Sequence, residues 1–415
     1  MTPGGRGASA GRGPVQARPT HFASGWLPRR IMGSWVVMLC ISGSCGFVSA
    51  RITESGSSDS ASELVDADAS KVSEKPQPTT TTIALTAQLE CPAFDSVTAQ
   101  AAAVVMPGIG ANDVIAARKL FAQPTPPRTV FVNTDLTLEL RTFLRDLSTN
   151  HRVLAAIDED GGRVQRLNGL YGELASAATL AKKPDAIEAI AKKRASQLRD
   201  AGVNMDFGPV VDLRLSAGNA EAAAIVGDRS FGASPDSVSD LADRFASGLN
   251  ASGVLPTLKH FPGHGSASGD SHLAVATTEH FDVLVSRDVA PFRAIVDHQR
   301  AAIMVGNLDV PGLTEPGRPA SLSPTAYKHL REDLHFDGLV VTDDLEEMKA
   351  VSSRFRPQAA AAEAITAGAD VALLDTMNQY DASVQEIVSR VNSGSLPKER
   401  LNQAARRILH QLGCS

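Results

Sequence analysis

The chain has 415 residues, 43% of them hydrophobic, which is enough for one large globular domain or two ordinary ones. Its formal net charge of −6 is mild and no basic face stands out, which argues against a nucleic-acid partner. None of its four cysteines forms a Cys-x-x-Cys pattern, so the cysteines do not indicate a zinc site.

Residues 1–50 have the pattern of an export segment. Arg29 and Arg30 precede an apolar segment at 31–48, which is short for a bilayer span and suits a secretory signal. Cleavage after Ala50 fits the small-x-small rule. The residues before Cys45 loosely resemble a bacterial lipobox, in which a lipid on Cys45 would attach the protein to the membrane; an uncleaved anchor helix is the third possibility. We expect an exported protein, secreted or associated with the cell envelope.

Residues 51–85 are rich in Ser, Thr and Pro and cannot bury enough apolar surface to fold, so we predict a disordered spacer before a folded domain at 86–415. Cys40 and Cys45 belong to the export segment, which leaves Cys91 and Cys414 near the two ends of that domain. In an exported protein a lone cysteine pair favours a disulfide over a catalytic thiol, so we predict a bridge between Cys91 and Cys414.

The folded domain alternates short apolar runs with longer helical patterns, which is typical of βα units and a parallel sheet. The predicted strands are 103–106, 129–132, 153–157, 203–207, 254–258, 302–305, 339–342 and 371–374. The predicted helices are 185–201, 237–251, 288–298, 323–334, 356–367, 382–392 and 397–412, with Ser237 and Ser323 as N-caps. Eight such units favour the α/β class and a single-domain (β/α)8 TIM-like barrel. A doubly wound open sheet is the alternative, but no Gly-x-Gly-x-x-Gly follows the first strand.

Polar clusters follow several of these strands, where a barrel enzyme keeps its chemistry. They are residues 158–166, 209–212 with 227–231, 259–272, and 343–344. The stretch 259–272 combines three histidines, a lysine and an aspartate with Gly and Pro, which predicts a shaped loop that is neither helix nor strand. His260, His264 and His272 could bind zinc, but Gly and Pro would break the helix that aligns a histidine pair. Alternatively they structure the loop through backbone hydrogen bonds, an interpretation that suits His264.

These clusters resemble glycoside hydrolase family 3, in its single-domain bacterial β-N-acetylglucosaminidase branch. The carrying motifs are Lys-His-Phe-Pro-Gly-His-Gly followed by Asp-Ser-His at 259–272, the loop 158–166 and Val-Thr-Asp-Asp-Leu at 341–345, and the resemblance covers about residues 100–410. Asp160 stands where the family usually has glutamate, and we expect it to support the loop.

The resemblance implies a catalytic set of three residues. Asp343 would be the nucleophile of a retaining mechanism. His272 would be the general acid/base, with Asp270 orienting its ring. From the residues alone, Asp343 could equally cap the following helix. Asp344 is adjacent but should point away from the sugar, since successive residues leaving a strand face opposite sides.

The resemblance also implies a sugar-binding set, which is Asp158, Arg166, Arg229, Lys259 and His260. Arg163 and Asp212 are expected to support loops instead. Taken singly, each arginine could equally belong to a surface ion pair, but these residues follow three different strands.

The activity implied is that of an exported, retaining exo-β-N-acetylglucosaminidase acting on GlcNAc-containing muropeptides, as a monomer and with no cofactor or metal. A glycoside phosphorylase or a β-glucosidase could use the same site. A non-catalytic wall-binding barrel is a further alternative, but Asp343, Asp270 and His272 are all present.

Overall fold

The computed structural model of this chain describes residues 90–215 and 225–414. The predicted export segment, with Cys45, and the predicted spacer at 51–85 lie outside the described residues. Within the described ranges, no helix has the length and apolar character that crossing a membrane requires.

Eight parallel strands form the barrel. They are β1 (Val105–Ile109), β2 (Thr129–Val132), β3 (Leu154–Ile157), β4 (Met205–Asp206), β5 (Leu255–Phe261), β7 (Ala302–Val305), β9 (Val340–Thr342) and β10 (Ala372–Leu374). Their spatial order is β10-β1-β2-β3-β4-β5-β7-β9, and a parallel bridge between Val341 and Val371 joins the first and last of them. The sheet therefore closes on itself, as the sequence predicts. A separate parallel pair, β6 (Ala276–Thr277) and β8 (Leu308–Asp309), lies in the loops that follow β5 and β7.

Helices connect the strands. They are α1 (Val97–Val104), α2 (Val114–Phe121), α3 (Leu138–Asn150), α4 (Asn168–Tyr171), α5 (Ala177–Leu180), α6 (Ile187–Asp200), α7 (Pro235–Asn250), α8 (Phe281–Arg287), α9 (Ala290–Val296), α10 (Pro324–Lys328), α11 (Lys349–Ser352), α12 (Pro357–Ala367), α13 (Tyr380–Ser393) and α14 (Lys398–Gln411). Short 3-10 turns occupy Pro184–Ala186, Gly227–Arg229 and Ala320–Leu322, and a π turn occupies His329–Asp333.

The core follows from two periodicities. Each barrel strand is nearly continuous in buried apolar residues, because it faces the barrel interior on one side and the helices on the other. The helices bury one stripe only: in α3 the buried residues are Leu140, Phe143, Leu144 and Leu147, at the i, i+3, i+4, i+7 spacing of one helical face.

Two predicted strand boundaries are wrong in informative ways. The first strand begins at Val105, because residues 103 and 104 are the end of α1, which runs directly into β1 through a continuous buried segment. The fifth strand extends to Phe261, so Lys259 and His260 belong to the strand and the prediction of a loop holds only beyond Phe261. Lys259 still pairs with Val210, and Phe261 still pairs with Val305 after a register shift.

The predicted start and N-cap of the helix at 237–251 are also wrong. Helix α7 begins at Pro235, preceded by Ser234, so Ser237 lies in its first turn and is not the N-cap. Proline favours the first helical position because its missing N–H would be unpaired there anyway. Ser323 does precede α10, but its hydroxyl donates to the Leu313 carbonyl and does not cap the helix.

Cys91 and Cys414 form a disulfide with an S–S distance of 2.05 Å and a sequence separation of 323 residues. The pairing is the one that the sequence predicts, and it fastens the segment before α1 to the end of the chain.

Candidate active site

A cavity of about 420 Å³ opens where the barrel strands end. Its volume suits a small ligand such as one sugar ring. Seven of the eight residues predicted for the site line it, namely Asp158, Arg166, Arg229, Lys259, His260, His272 and Asp343. The eighth, Asp270, lines an adjoining cleft that shares His272 with the cavity. The sequence therefore brings together residues from the ends of β3, β5 and β9 and from the loop after β4.

A chain of alternating charges forms one wall of the cavity. The Lys259 ammonium is buried and lies 2.6 Å from Asp158 and 3.0 Å from Asp160, and Arg229 lies 2.6 Å from the second Asp160 oxygen. Burial disfavours the charged form of Asp160, but Arg229 and Lys259 hold its pKa below the ordinary value. Burial likewise opposes the charge of Lys259, yet Asp158 and Asp160 raise its pKa. Asp160 thus joins two predicted sugar-binding cations, which is the support role expected of it.

His260 is held by a buried carboxylate. Its Nδ1 lies 2.7 Å from Asp212, which also accepts hydrogen bonds from the backbone N–H groups of His260 and His264. Burial acts to raise the pKa of Asp212, but the neighbouring imidazole of His260 and these hydrogen bonds lower it to about 2. With Nδ1 engaged by Asp212, the remaining ring nitrogen, Nε2, is the one available to a ligand in the cavity.

The two adjacent carboxylates after β9 have different surroundings. Asp344 accepts hydrogen bonds from the backbone N–H groups of Glu346, Glu347, Met348 and Asp375, at 2.8–3.1 Å, so it shapes the turn. Burial raises the pKa of Asp344 to about 7. Asp343 accepts one N–H, from Asp344, and forms no ion pair with any described residue. Both side chains border the cavity, but Asp343 alone has most of its acceptor capacity free among the described residues. The helix that follows, Lys349–Ser352, begins after Met348 and has no side-chain cap, so the capping role considered for Asp343 is not what the structure shows.

The second histidine–aspartate pair stands at the rim. His272 Nδ1 lies 2.7 Å from Asp270 Oδ1, which also accepts the backbone N–H of His272. The His272 side chain is 63% exposed and that of Asp270 31%. Partial burial acts to raise the pKa of Asp270, whereas the two hydrogen bonds from His272 lower it below its ordinary value.

For His264, the third histidine of the motif, the predicted hydrogen bond between the ring and the backbone is wrong. Within the described ranges its ring does not bond to the backbone: Nε2 lies 3.3 Å from the hydroxyl of Ser271, and the buried Nδ1 has no hydrogen-bond partner there. Burial lowers the pKa of His264, so the ring is neutral near pH 7. Its backbone N–H, bonded to Asp212, does structure the loop.

Residues 158–166 form a loop closed by a buried glutamate. Glu159 accepts the backbone N–H groups of Arg166 and Leu167 at 2.7 and 3.0 Å and lies 3.5 Å from Arg194. Arg166 itself has one acidic neighbour among the described residues, the exposed Asp135 at 4.0 Å, so its guanidinium remains open to a ligand. Arg163 pairs with Asp228 at 3.0 Å and donates to backbone carbonyls, which is the loop support predicted for it.

Several lining residues escape the motif-based reasoning, among them Asn133, Phe207, Met304 and Asp375. Asn133 and Asp375 directly follow β2 and β10, and the Asn133 side chain donates to the Asp375 carbonyl at 2.5 Å. The rule that barrel enzymes place polar residues after strands would have found both, had it been applied to every strand.

The histidines do not form a metal centre in this geometry. In the described part of the chain no three His, Cys, Asp or Glu side chains are grouped so that they could hold an ion. His260 and His272 each use Nδ1 to contact an aspartate.

Comparison with known proteins gives a consistent set of relatives. The chain is 40% identical over 270 residues to the β-hexosaminidase LpqI of Mycobacterium tuberculosis, covering 62% of this chain and 67% of that protein. It is 32% identical over 268 residues to a β-hexosaminidase of Methylococcus capsulatus, covering 62% and 76% respectively. Among solved structures, a glycosyl hydrolase of the GH3 family from Mycobacterium smegmatis superposes with a TM-score of 0.71 and 37% identity, over 76% of this chain and 97% of that one.

The family relationship extends over the whole barrel. The model of the glycosyl hydrolase family 3 N-terminal domain matches residues 87–411, which begin just before α1 and end in the last turn of α14. The motifs at 158–166, 259–272 and 341–345 all fall within this match. The chain therefore belongs to glycoside hydrolase family 3 and is a glycoside hydrolase.

Proposed function

We propose that this protein is an exported, retaining exo-β-N-acetylglucosaminidase, which removes terminal β-linked GlcNAc from cell-wall fragments such as GlcNAc–MurNAc. The observation that carries the proposal is one small cavity bordered by the carboxylate of Asp343 and by a histidine with its own aspartate, His272–Asp270. Relatives named β-hexosaminidase support the preference for an N-acetylated sugar. Export, with a possible lipid on Cys45, rests on the composition of residues 1–50.

In the proposed mechanism, Asp343 attacks the anomeric carbon and forms a covalent glycosyl-enzyme while His272 protonates the departing oxygen. His272, now neutral, then removes a proton from water, which attacks the same carbon and releases the sugar with its configuration retained. Asp270 holds the ring so that Nε2 faces the leaving group and stabilises the imidazolium.

The charged residues that form one wall of the cavity would bind the sugar. Asp158 would accept hydrogen bonds from ring hydroxyls, with Lys259 and His260 beside it and Arg166 and Arg229 completing the pocket. Because Lys259 is clamped between two carboxylates, it gives a fixed donor position, which suits a rigid ring. We expect the protein to act as a monomer.

The nucleophile is tested by Asp343→Ala with 4-nitrophenyl β-GlcNAc as substrate. Without a carboxylate the first step has no covalent route, so kcat should fall by at least about 10³-fold while the protein keeps its unfolding temperature. Turnover at the wild-type rate would show that Asp343 is not the nucleophile.

The substrate and the acceptor are tested by product analysis on purified muropeptides in buffers with and without phosphate. The proposal expects free GlcNAc in both buffers. Sugar 1-phosphate as the main product would instead assign phosphorolysis, which a histidine acid/base permits because it does not repel phosphate as a carboxylate would. Higher kcat/KM on 4-nitrophenyl β-glucoside than on its GlcNAc counterpart would assign β-glucosidase specificity.

A further inference from the structure

The loop that carries His272 combines an exposed side chain with a docked backbone. His272 is 63% exposed, yet the residue before it, Ser271, is 1% exposed. A catalytic acid on a free loop would have to be brought to the leaving group at every turnover, whereas a docked loop keeps it near its working position. The contacts of Ser271 show how this loop is docked.

Two contacts join the loop to the segment that follows the proposed nucleophile. The carbonyl of Ser271 accepts the backbone N–H of Ala350 at 3.1 Å, and the carbonyl of His272 accepts that of Lys349 at 3.3 Å. These donors are the first two N–H groups of α11, which have no partner within the helix. The acid/base loop is therefore attached to the same segment that positions Asp343.

That segment is itself well ordered by hydrogen bonds. The Asp344 carboxylate accepts three backbone N–H groups of the turn before α11 and that of Asp375 after β10, and the side chain of Asn307 donates to the Asp344 carbonyl at 2.6 Å. Asn307 in turn accepts from the hydroxyl of Ser321 at 2.5 Å. The turn therefore provides a fixed surface for the loop.

The third contact comes from the side chain of Ser271, which lies 3.3 Å from Nε2 of the buried His264. Because Nδ1 of this neutral ring has no hydrogen-bond partner among the described residues, an N–H there would be left unpaired at a cost. The Nε2–H tautomer avoids that cost, since Nε2 then donates to the Ser271 hydroxyl. His264 is anchored through its own N–H to Asp212, so this contact connects the loop to the floor of the cavity.

We infer that Ser271 is a positioning residue for catalysis: it fixes the acid/base pair His272–Asp270 over the cavity by binding His264 through its hydroxyl and Ala350 through its carbonyl. The inference rests on the proposed function, because it assumes that His272 protonates the leaving group. Ser271 would not touch the substrate's reacting atoms; it would act through the placement of its neighbours on either side.

The test uses Ser271→Ala and Ser271→Cys in the intact chain, with phenyl and 2,4-dinitrophenyl β-GlcNAc as paired substrates. Both values of kcat/KM report the first chemical step, but only the phenyl substrate needs its leaving oxygen protonated. A misplaced acid should lower kcat/KM for the phenyl substrate on the order of 10- to 100-fold and leave the dinitrophenyl value within about twofold. The cysteine variant keeps the side-chain size, so it separates loss of the hydrogen bond from a packing defect.

Ser268→Ala is the matched control. Ser268 lies in the same loop, and among the described residues its hydroxyl accepts only the backbone N–H of Thr277, at 3.2 Å, so it contacts neither His264 nor α11. This variant should leave both substrates unchanged. Equal losses on the two substrates in the Ser271 variants, or no loss on either, would overturn the inference.

Measuring His272→Ala beside these variants tests the acid assignment of His272 separately from the positioning role of Ser271. If it removes activity selectively on the phenyl substrate while the Ser271 variants do not, the acid assignment holds and the positioning role is wrong. If His272→Ala itself shows no selectivity between the substrates, the acid assignment fails and the inference fails with it.

Discussion

Two histidines that line the cavity, His260 and His272, are each paired with an aspartate by the same contact but in opposite surroundings. In both, Nδ1 of the ring lies 2.7 Å from a carboxylate oxygen. In the pair His260–Asp212 the aspartate is fully buried and the histidine side chain is 12% exposed. In the pair His272–Asp270 the corresponding side chains are 31% and 63% exposed.

This difference in exposure distinguishes a pair that holds a histidine ring in one orientation from a pair that is suited to proton transfer. Asp212 accepts three hydrogen bonds inside the barrel, so it fixes the tautomer and orientation of His260 and leaves that ring little freedom. His272 can exchange protons with water and with a leaving group because its ring stands in the open, while Asp270 still orients it. The same two residue types therefore serve proposed binding in one place and proposed acid–base chemistry in the other.

Of the changes to the two pairs, breaking the exposed pair has the larger expected effect. His272→Ala should lower kcat/KM on phenyl β-GlcNAc by about 10²- to 10⁴-fold, the usual contribution of a general acid. The effect on the dinitrophenyl glycoside should be below about tenfold, because that leaving group departs without a proton. Unfolding temperature should not change, since the side chain is mostly exposed.

His298→Ala is the control for that measurement. His298 and Asp243 form an ion pair of 2.9 Å with exposures of 55% and 29%, close to those of the His272–Asp270 pair, but neither residue lines the cavity. Its removal should leave both substrates unaffected. A similar loss in the two alanine variants would mean that exposure and pairing, without the cavity, explain the result.

A smaller effect, of a different kind, is expected from Asp212→Asn. The amide cannot accept all three hydrogen bonds in the same way, so His260 should lose its fixed orientation and the sugar should bind less well. We expect kcat/KM to fall on the order of tenfold for the phenyl and the dinitrophenyl substrate alike. Kinetics on both substrates check this, with Asp243→Asn as the matched control. A loss confined to the phenyl substrate would place Asp212, rather than Asp270, in the acid–base chemistry.

Much of the site was predictable from the sequence because strands ending in a barrel must converge. Asp158, Lys259 and Asp343 each follow or end a buried apolar run, and the barrel brings them to one cavity. The division between the two histidine pairs was not predictable in the same way. Asp212 lies 48 positions before His260, and no local sequence pattern predicts the contact between them.

The limits of prediction are also physical in the catalytic loop. Gly and Pro indicate a shaped segment, but they do not indicate which neighbour the segment docks on. Ser271 is a small polar residue in a polar stretch, and only tertiary structure buries it against His264 and Ala350. The extension of β5 to Phe261 was missed for the same reason, since the pairing partners are distant in sequence: Val305 lies on β7, and Val210 forms an isolated bridge beyond the end of β4.

The last expected effect concerns the free energy of unfolding at acid pH, and it distinguishes the buried Asp212 from an aspartate in an exposed pair. The pKa of Asp212 falls from 3.8 to about 2 in the folded state, so the charged form stabilises the fold above about pH 4, and this stabilisation is lost as the pH falls toward 2. The difference corresponds to about 2 kcal/mol of unfolding free energy. Urea unfolding of the wild type between pH 5 and 2 should therefore show a loss that Asp212→Asn lacks, whereas Asp243→Asn, at an exposed pair, should keep the wild-type pH dependence. A parallel loss in Asp212→Asn would show that other carboxylates govern acid unfolding and that the buried pair contributes orientation without stability.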